Sequence, residues 1–302
     1  MMRLNYRIIL LVLAMGLAKS SLAALNVFAC EPEWASLAET LGGDRVKVVS
    51  ATTAYQDPHR IEARPSLIAK VRRADLLVCS GAELEIGWLP MLQRQAGNPK
   101  VLRGQPGYFE AADQIERLGI PDSLDRSMGD IHASGNPHVH LDPRRLSTIA
   151  TALSDRLANL DPTNADYYRK RHDEFSQTWE EALQRWKTRA LPLVGARLVV
   201  HHQDWEYFFD WLGIIRVGSL EPKPGLPVSS GHIVKLKKRL QQEPPLAIIY
   251  TAYQSPRAAK RLSQITGIPA VELPYTVGGA EGVVDLFTLF DETLKRLLEV
   301  IP

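Results

Sequence analysis

Short apolar runs alternate with amphipathic stretches in two separate series along this chain, and one long helical stripe divides them. In the first series Leu25–Cys30, Val46–Ala51 and Asp75–Cys79 read as strands, with Val101-Leu102 marking a fourth. Between them, Pro32–Leu41 sets Trp34, Leu37 and Leu41 on one helical face and ends at Gly42-Gly43, and Pro65–Arg73 does the same with Leu67, Ile68 and Val71. Strands that alternate with helices of this length imply a parallel sheet covered on both faces.

The dividing stripe opens at Asp161-Pro162, an N-cap residue followed by proline at the first helical position. Tyr168, Phe175, Trp179, Ala182 and Trp186 then recur at helical spacing up to Leu191. A helix of roughly 27 residues spans about 40 Å, enough to act as a rigid spine. Beyond it the alternation resumes, with strands at Arg197–His201, Ile214–Ser219, Leu246–Tyr250 and Ala270–Leu273. Helices are expected at Trp205–Leu212, His232–Gln241, Pro256–Thr266 (capped by Ser255) and Val283–Val300. About 280 residues exceed what one core usually fills, so the expected architecture is α/β with two lobes joined by one long spine helix. The boundaries fall at 24–160 for the first lobe, 161–191 for the spine and 192–302 for the second lobe. The cleft where the carboxyl ends of the two sheets face each other is the usual ligand site of such folds.

Residues 1–23 read as a signal peptide. Arg3 and Arg7 precede an apolar stretch, Ile8 to Ala18, that is too short for a span of roughly 20 residues. Ser21-Leu22-Ala23 offers small residues for cleavage near Ala23, and no cysteine follows for lipid attachment, so a soluble periplasmic protein is expected. Without Arg3, Arg7 and Lys19, the 36 basic and 34 acidic residues become 33 and 34. That balance gives no reason to expect nucleic acid or anionic lipid as a partner. Cys30 and Cys79 each close a strand, and in an oxidising compartment they are expected to form a disulfide.

Three histidines stand where the chain leaves this scaffold. His59 lies in Asp57-Pro58-His59, His138 in Asn136-Pro137-His138, and His202 ends the run Leu198-Val199-Val200-His201-His202. All three map to the same rim of their sheets, where their imidazoles can share a metal. Neutral imidazole is a common ligand of borderline metals, and three of them suit Zn²⁺.

On these segments the chain resembles the metal-specific solute-binding proteins of zinc and manganese ABC importers, the ZnuA/TroA-like group. The matching stretches are Asp57-Pro58-His59 with Pro65 downstream, Asn136-Pro137-His138-Val139-His140-Leu141-Asp142-Pro143, and His202 ahead of Trp205, Tyr207-Phe208 and Gly213. The resemblance covers essentially the whole chain after residue 23. It implies that His59, His138 and His202 hold the metal as cargo, that the spine permits only slight lobe motion, and that a monomeric receptor delivers the ion to a membrane permease. A periplasmic metallochaperone is a possible further partner that the residues do not identify.

The family also supplies a fourth ligand, often an aspartate, after the last strand of the second lobe. Here that segment reads Leu273-Pro274-Tyr275-Thr276-Val277-Gly278-Gly279, so Glu281, Asp285 or water is left to complete the shell. An aromatic residue is usual where His140 stands; His132, His140 and His201 are therefore auxiliary candidates. Three imidazoles favour Zn²⁺ over Mn²⁺, which prefers carboxylate oxygens. Two other functions compete. A zinc hydrolase would use the same three ligands, but the chain has neither His-Glu-x-x-His nor Gly-x-Ser-x-Gly. A receptor for a metal chelate would need an aromatic cleft, for which Trp34, Trp88 and Trp205 are the candidates.

Overall fold

A computed structural model describes residues 24–123, 129 and 132–301. The segment read as a signal peptide lies outside the described residues. The first lobe runs β1 (Leu25–Ala29), α1 (Pro32–Gly42), β2 (Val46–Ser50), α2 (Pro65–Arg73), β3 (Leu76–Cys79), α3 (Leu89–Ala96), β4 (Tyr108–Glu110) and α4 (Pro143–Leu160). The spine follows as α5 (Ala165–Arg189). The second lobe is β5 (Arg197–Val200), α6 (Glu206–Leu212), β6 (Ile215–Ser219), α7 (Ser230–Leu240), β7 (Ala247–Thr251), α8 (Arg257–Thr266), β8 (Ala270–Leu273) and α9 (Leu286–Leu298). The sheets are parallel and share one pattern, with orders β2-β1-β3-β4 and β6-β5-β7-β8.

The inner strands β1, β3, β5 and β7 bury both faces, against different cores, because successive side chains point to opposite sides. In β1, Val27 and Ala29 join a central core while Phe28 and Cys30 face a separate outer one. In β5 and β7, Leu198, Val200 and Ile249 face the same central core, and Val199 and Ile248 face an outer one. The central core is continuous through both lobes and the spine. Trp34, Trp179, Trp186, Phe208 and Phe290 all belong to it. Two lobes are present, but they are not two independently filled interiors.

The spine begins after a single 3-10 turn, Pro162–Asn164. Asp161 anchors that turn by accepting from Tyr168 Oη at 2.9 Å and Asn164 Nδ2 at 2.7 Å. Trp179 packs edge-on against Trp186 and Phe287, which fixes the spine to α9.

Three expectations need correction. The helix α8 has Pro256 at its N-cap with no side-chain cap, so Ser255 does not cap it. Val101-Leu102 is not the fourth strand, because Asn98 caps a 3-10 turn at Pro99–Val101 and β4 lies at Tyr108–Glu110. Gly107 admits β4 beside β3, since a Cβ there would come within 2.5 Å of Lys100 O and 2.6 Å of Asp75 O. The last helix starts at Leu286 rather than Val283, because Asp285 forms a capping box with Thr288. Leu89–Ala96, too short to show a clear helical period, had no counterpart in the sequence reading.

Cys30 and Cys79 are disulfide-bonded across the neighbouring strands β1 and β3. The bridge closes a loop with a sequence separation of 49. On the chain-entropy estimate this is worth about 4 kcal/mol, by limiting the unfolded ensemble. Replacing both cysteines by alanine should therefore lower the unfolding free energy by about 4 kcal/mol, measured in denaturant titrations, while one metal ion per chain is still bound.

Candidate metal centre

His59, His138 and His202 are brought together by three different local devices. Pro58 bends the chain after β2, and the Asp57 carboxylate accepts from the His59 backbone N–H at 3.0 Å, which fixes the turn. His138 precedes a 3-10 turn at Val139–Leu141, and its N–H donates to Asn136 Oδ1 at 3.0 Å. His202 lies just past the carboxyl end of β5. One ring nitrogen from each of the three lies within 4.8 Å of the others.

Each ring is held at its Nδ1. His59 Nδ1 is 2.8 Å from Asp57 Oδ1, His202 Nδ1 is 2.6 Å from Glu221 Oε2, and His138 Nδ1 is 2.6 Å from Tyr275 Oη. If each Nδ1–H donates, the Nε2 atoms of all three are the ones offered to one cation, which must displace any proton held there, the arrangement that metal-binding histidines ordinarily use. Tyr275 belongs to the second lobe and His138 to the first, so one of these tethers also crosses the cleft. Other cross-lobe ties are Asn136 Nδ2 to Gln203 O at 2.8 Å and Tyr207 Oη to Asn136 O at 2.9 Å. An ionic cluster of Asp142, Arg144, Arg145 and Asp210 joins α4 to α6.

Asp204 is fully buried beside these rings. Its Oδ2 accepts from Gln254 Nε2 at 2.8 Å and Tyr253 Oη at 3.2 Å. Its Oδ1 has no hydrogen-bond partner and lies 3.7 Å from His202 Nε2 and 4.0 Å from His138 Nε2.

The remaining candidates fall elsewhere. Asp285 is occupied as the cap of α9, and Glu281 is exposed. His140 is turned away from the cluster by the 3-10 turn, which breaks the extended geometry that would have aligned it with His138. It is fully buried, with Nε2 2.9 Å from Tyr275 O and Nδ1 3.2 Å from Glu33 Oε1. His201 borders the groove lined by Asp57, His59 and His202 and also a second groove with Val228 and Ile233. His132 does join the cluster: its ring stacks on His59 at 5.3 Å, with Nε2 to Nε2 at 3.3 Å. The segment after it hangs from Glu83, which accepts from Ala133 N at 2.8 Å and Ser134 Oγ at 3.2 Å. Trp34, Trp88 and Trp205 are buried packing residues and line no aromatic cleft.

Against this geometry the comparisons with known proteins are decisive. The family model described as ZnuA, zinc-uptake complex component A, periplasmic, matches residues 27–300. The chain belongs to this family. Its members are solute-binding receptors of ABC transporters, so this chain is a receptor and the hydrolase reading is set aside. Among curated relatives, the metal ABC transporter substrate-binding lipoprotein SloC of Streptococcus mutans is 24% identical over 257 residues, 83% of this chain and 81% of that one. The manganese ABC transporter substrate-binding lipoprotein PsaA of Streptococcus pneumoniae is 23% identical over 259 residues, 85% and 82% of the two chains. A crystal structure of ZnuA superposes with a TM-score of 0.77 at 21% identity, covering 92% of this chain and 99% of that one. The Cd-bound periplasmic metal binding protein of Candidatus Liberibacter asiaticus gives 0.75 at 18% identity, covering 92% and 100%. At these identities the superpositions establish the fold.

Charge in this family member's cluster is divided unevenly. Burial pushes His138 well down and His132 down to about 3, reinforced in both by the neighbouring rings. Burial opposes a proton on His202 too, but Asp204 and Glu221 outweigh it and raise that ring to about 9. Burial likewise raises Glu85, in the first lobe, to about 8.

Both raised groups bind protons in the native state that the unfolded chain has released. The stability they contribute is present at low pH and lost on the way up, for His202 between about 6.5 and 9. The metal-free protein should therefore melt at a lower temperature at pH 9 than at pH 6.5. His202→Gln should make that decline shallower.

Proposed function

We propose that this receptor captures Zn²⁺ between its lobes, through His59, His138 and His202, and delivers it to the permease of an ABC importer in the periplasm. The observation that carries the reading is the convergence of three imidazoles whose Nδ1 atoms are already engaged. Three nitrogen donors favour zinc over manganese, whose preference is for carboxylate oxygen. Membership of the zinc-uptake family points the same way.

Manganese is the second reading. It is favoured by the manganese-named relatives and by the buried Asp204 carboxylate next to the rings. Cation capture needs no wide hinge: the cross-lobe hydrogen bonds and the shared central core already hold the walls of the site together. Permease contacts are expected on the cleft rims of both lobes, where a change in the ion-binding loops reaches the surface. Among the described residues no helix is long and apolar enough to cross a membrane.

Calorimetric titration of the metal-stripped protein should give one Zn²⁺ per chain, bound at least a hundredfold more tightly than Mn²⁺. Alanine at His59, His138 or His202 should each cost more than the roughly 10–100-fold typical of losing a residue that only orients a ligand. Tyr275→Phe should fall within that lesser range, because it removes a tether and leaves the His138 ring. Manganese affinity equal to or above that for zinc would overturn the choice of metal. Unchanged zinc affinity in any histidine variant would remove that residue from the site.

A further inference from the structure

We propose that Asp204 is the fourth metal ligand, its Oδ1 completing a tetrahedron with Nε2 of His59, His138 and His202. The inference rests on the three-histidine reading and adds to it the donor that the segment after β8 lacks. Asp204 stands in the turn between β5 and α6, two residues beyond His202, so the same turn delivers two ligands.

The case is one of unequal oxygens. Oδ2 is satisfied by Gln254 and Tyr253, whereas Oδ1 has no donor, in a residue with 0% of its surface exposed. An unpaired buried carboxylate oxygen is costly, and such groups are normally paired or coordinate a metal. The nearest polar neighbours of Oδ1 include His202 Nε2 at 3.7 Å and His138 Nε2 at 4.0 Å. Ligands about 2.0–2.1 Å from a tetrahedral zinc stand about 3.3 Å apart, so Oδ1 must close by roughly half an ångström on His202 and His138, and by more on His59, which stands within 4.8 Å of the other two rings but farther from Asp204.

Three other acids among the described residues have assignments of their own. Asp57 and Glu221 hold Nδ1 atoms, and Asp285 caps α9. Among the described residues His132 is the rival donor, since its Nε2 is 3.3 Å from that of His59. It is carried by a segment tied to Glu83, whereas Asp204 is fixed by two hydrogen bonds within the second lobe. A carboxylate oxygen in an otherwise all-nitrogen set also makes Asp204 the residue that lets a harder cation compete.

Asp204→Asn tests this cleanly. Gln254 and Tyr253 both donate to the outer oxygen, so the amide oxygen takes that place and the NH₂ group faces the cation. Zinc affinity should fall at least tenfold, manganese affinity should fall by a larger factor, and the metal-free variant should melt no lower than the parent. His132→Ala should change zinc affinity less than Asp204→Asn does. A loss of zinc affinity smaller than tenfold in Asp204→Asn would overturn the assignment. If the variant does not fold, a crystal structure of the zinc-loaded parent decides. Oδ1 at about 2.0–2.2 Å from the ion supports the proposal, and a water or His132 in that position ends it. A parent protein that binds no zinc would instead defeat the three-histidine reading itself.

Discussion

A hydrogen-bond partner on the far side of each ring is the constraint on which the whole centre depends. An imidazole is a useful ligand only when its tautomer and direction are set, and here Asp57, Tyr275 and Glu221 set them from three directions. Two of the three partners are anionic and one is a neutral hydroxyl. Against the cost of burial, Asp204 and Glu221 raise His202 to about 9, while His138, sealed in the interior, is held well below the ordinary imidazole range by burial. The partners also divide between the lobes, with Asp57 in the first and Tyr275 and Glu221 in the second. The geometry of the centre is thus a property of the joined lobes and not of either alone.

That dependence gives the fold its significance. Two small parallel sheets of identical strand order place their carboxyl ends at one cleft, and the spine and α9 lock them through a common aromatic core. A shared interior makes large relative rotation of the lobes costly, because it would open the packing around Trp179 and Trp186. On the proposed reading, ion capture in such a frame needs only small shifts in the loops that carry His59, His138 and His202.

Much of this was legible in the sequence. Alternating apolar runs and the helical stripe from Tyr168 to Trp186 specify the sheets and spine, because strand and helix periods differ so clearly. The X-Pro-His segments and His202 mark where chemistry leaves the scaffold. The partners of the rings were not legible, since Tyr275 and Glu221 meet their histidines only through the tertiary fold. Asp57 carried a local sign, an Asx turn at Asp-Pro-His, and Asp204 a weaker one, its position two residues beyond His202. Acids were sought instead after β8, where Asp285 turned out to satisfy a helix terminus. His140 shows the converse limit, for its period-two relation to His138 holds only in an extended chain and a 3-10 turn intervenes.

The claim that Nδ1 tethers aim three Nε2 lone pairs at one ion is tested most directly by nitrogen-15 imidazole spectra of the zinc-loaded protein. The account predicts three rings whose Nε2 resonances shift on metal binding while each Nδ1 keeps its proton. Coordination through Nδ1 in any of the three, or fewer than three shifted rings, would contradict it.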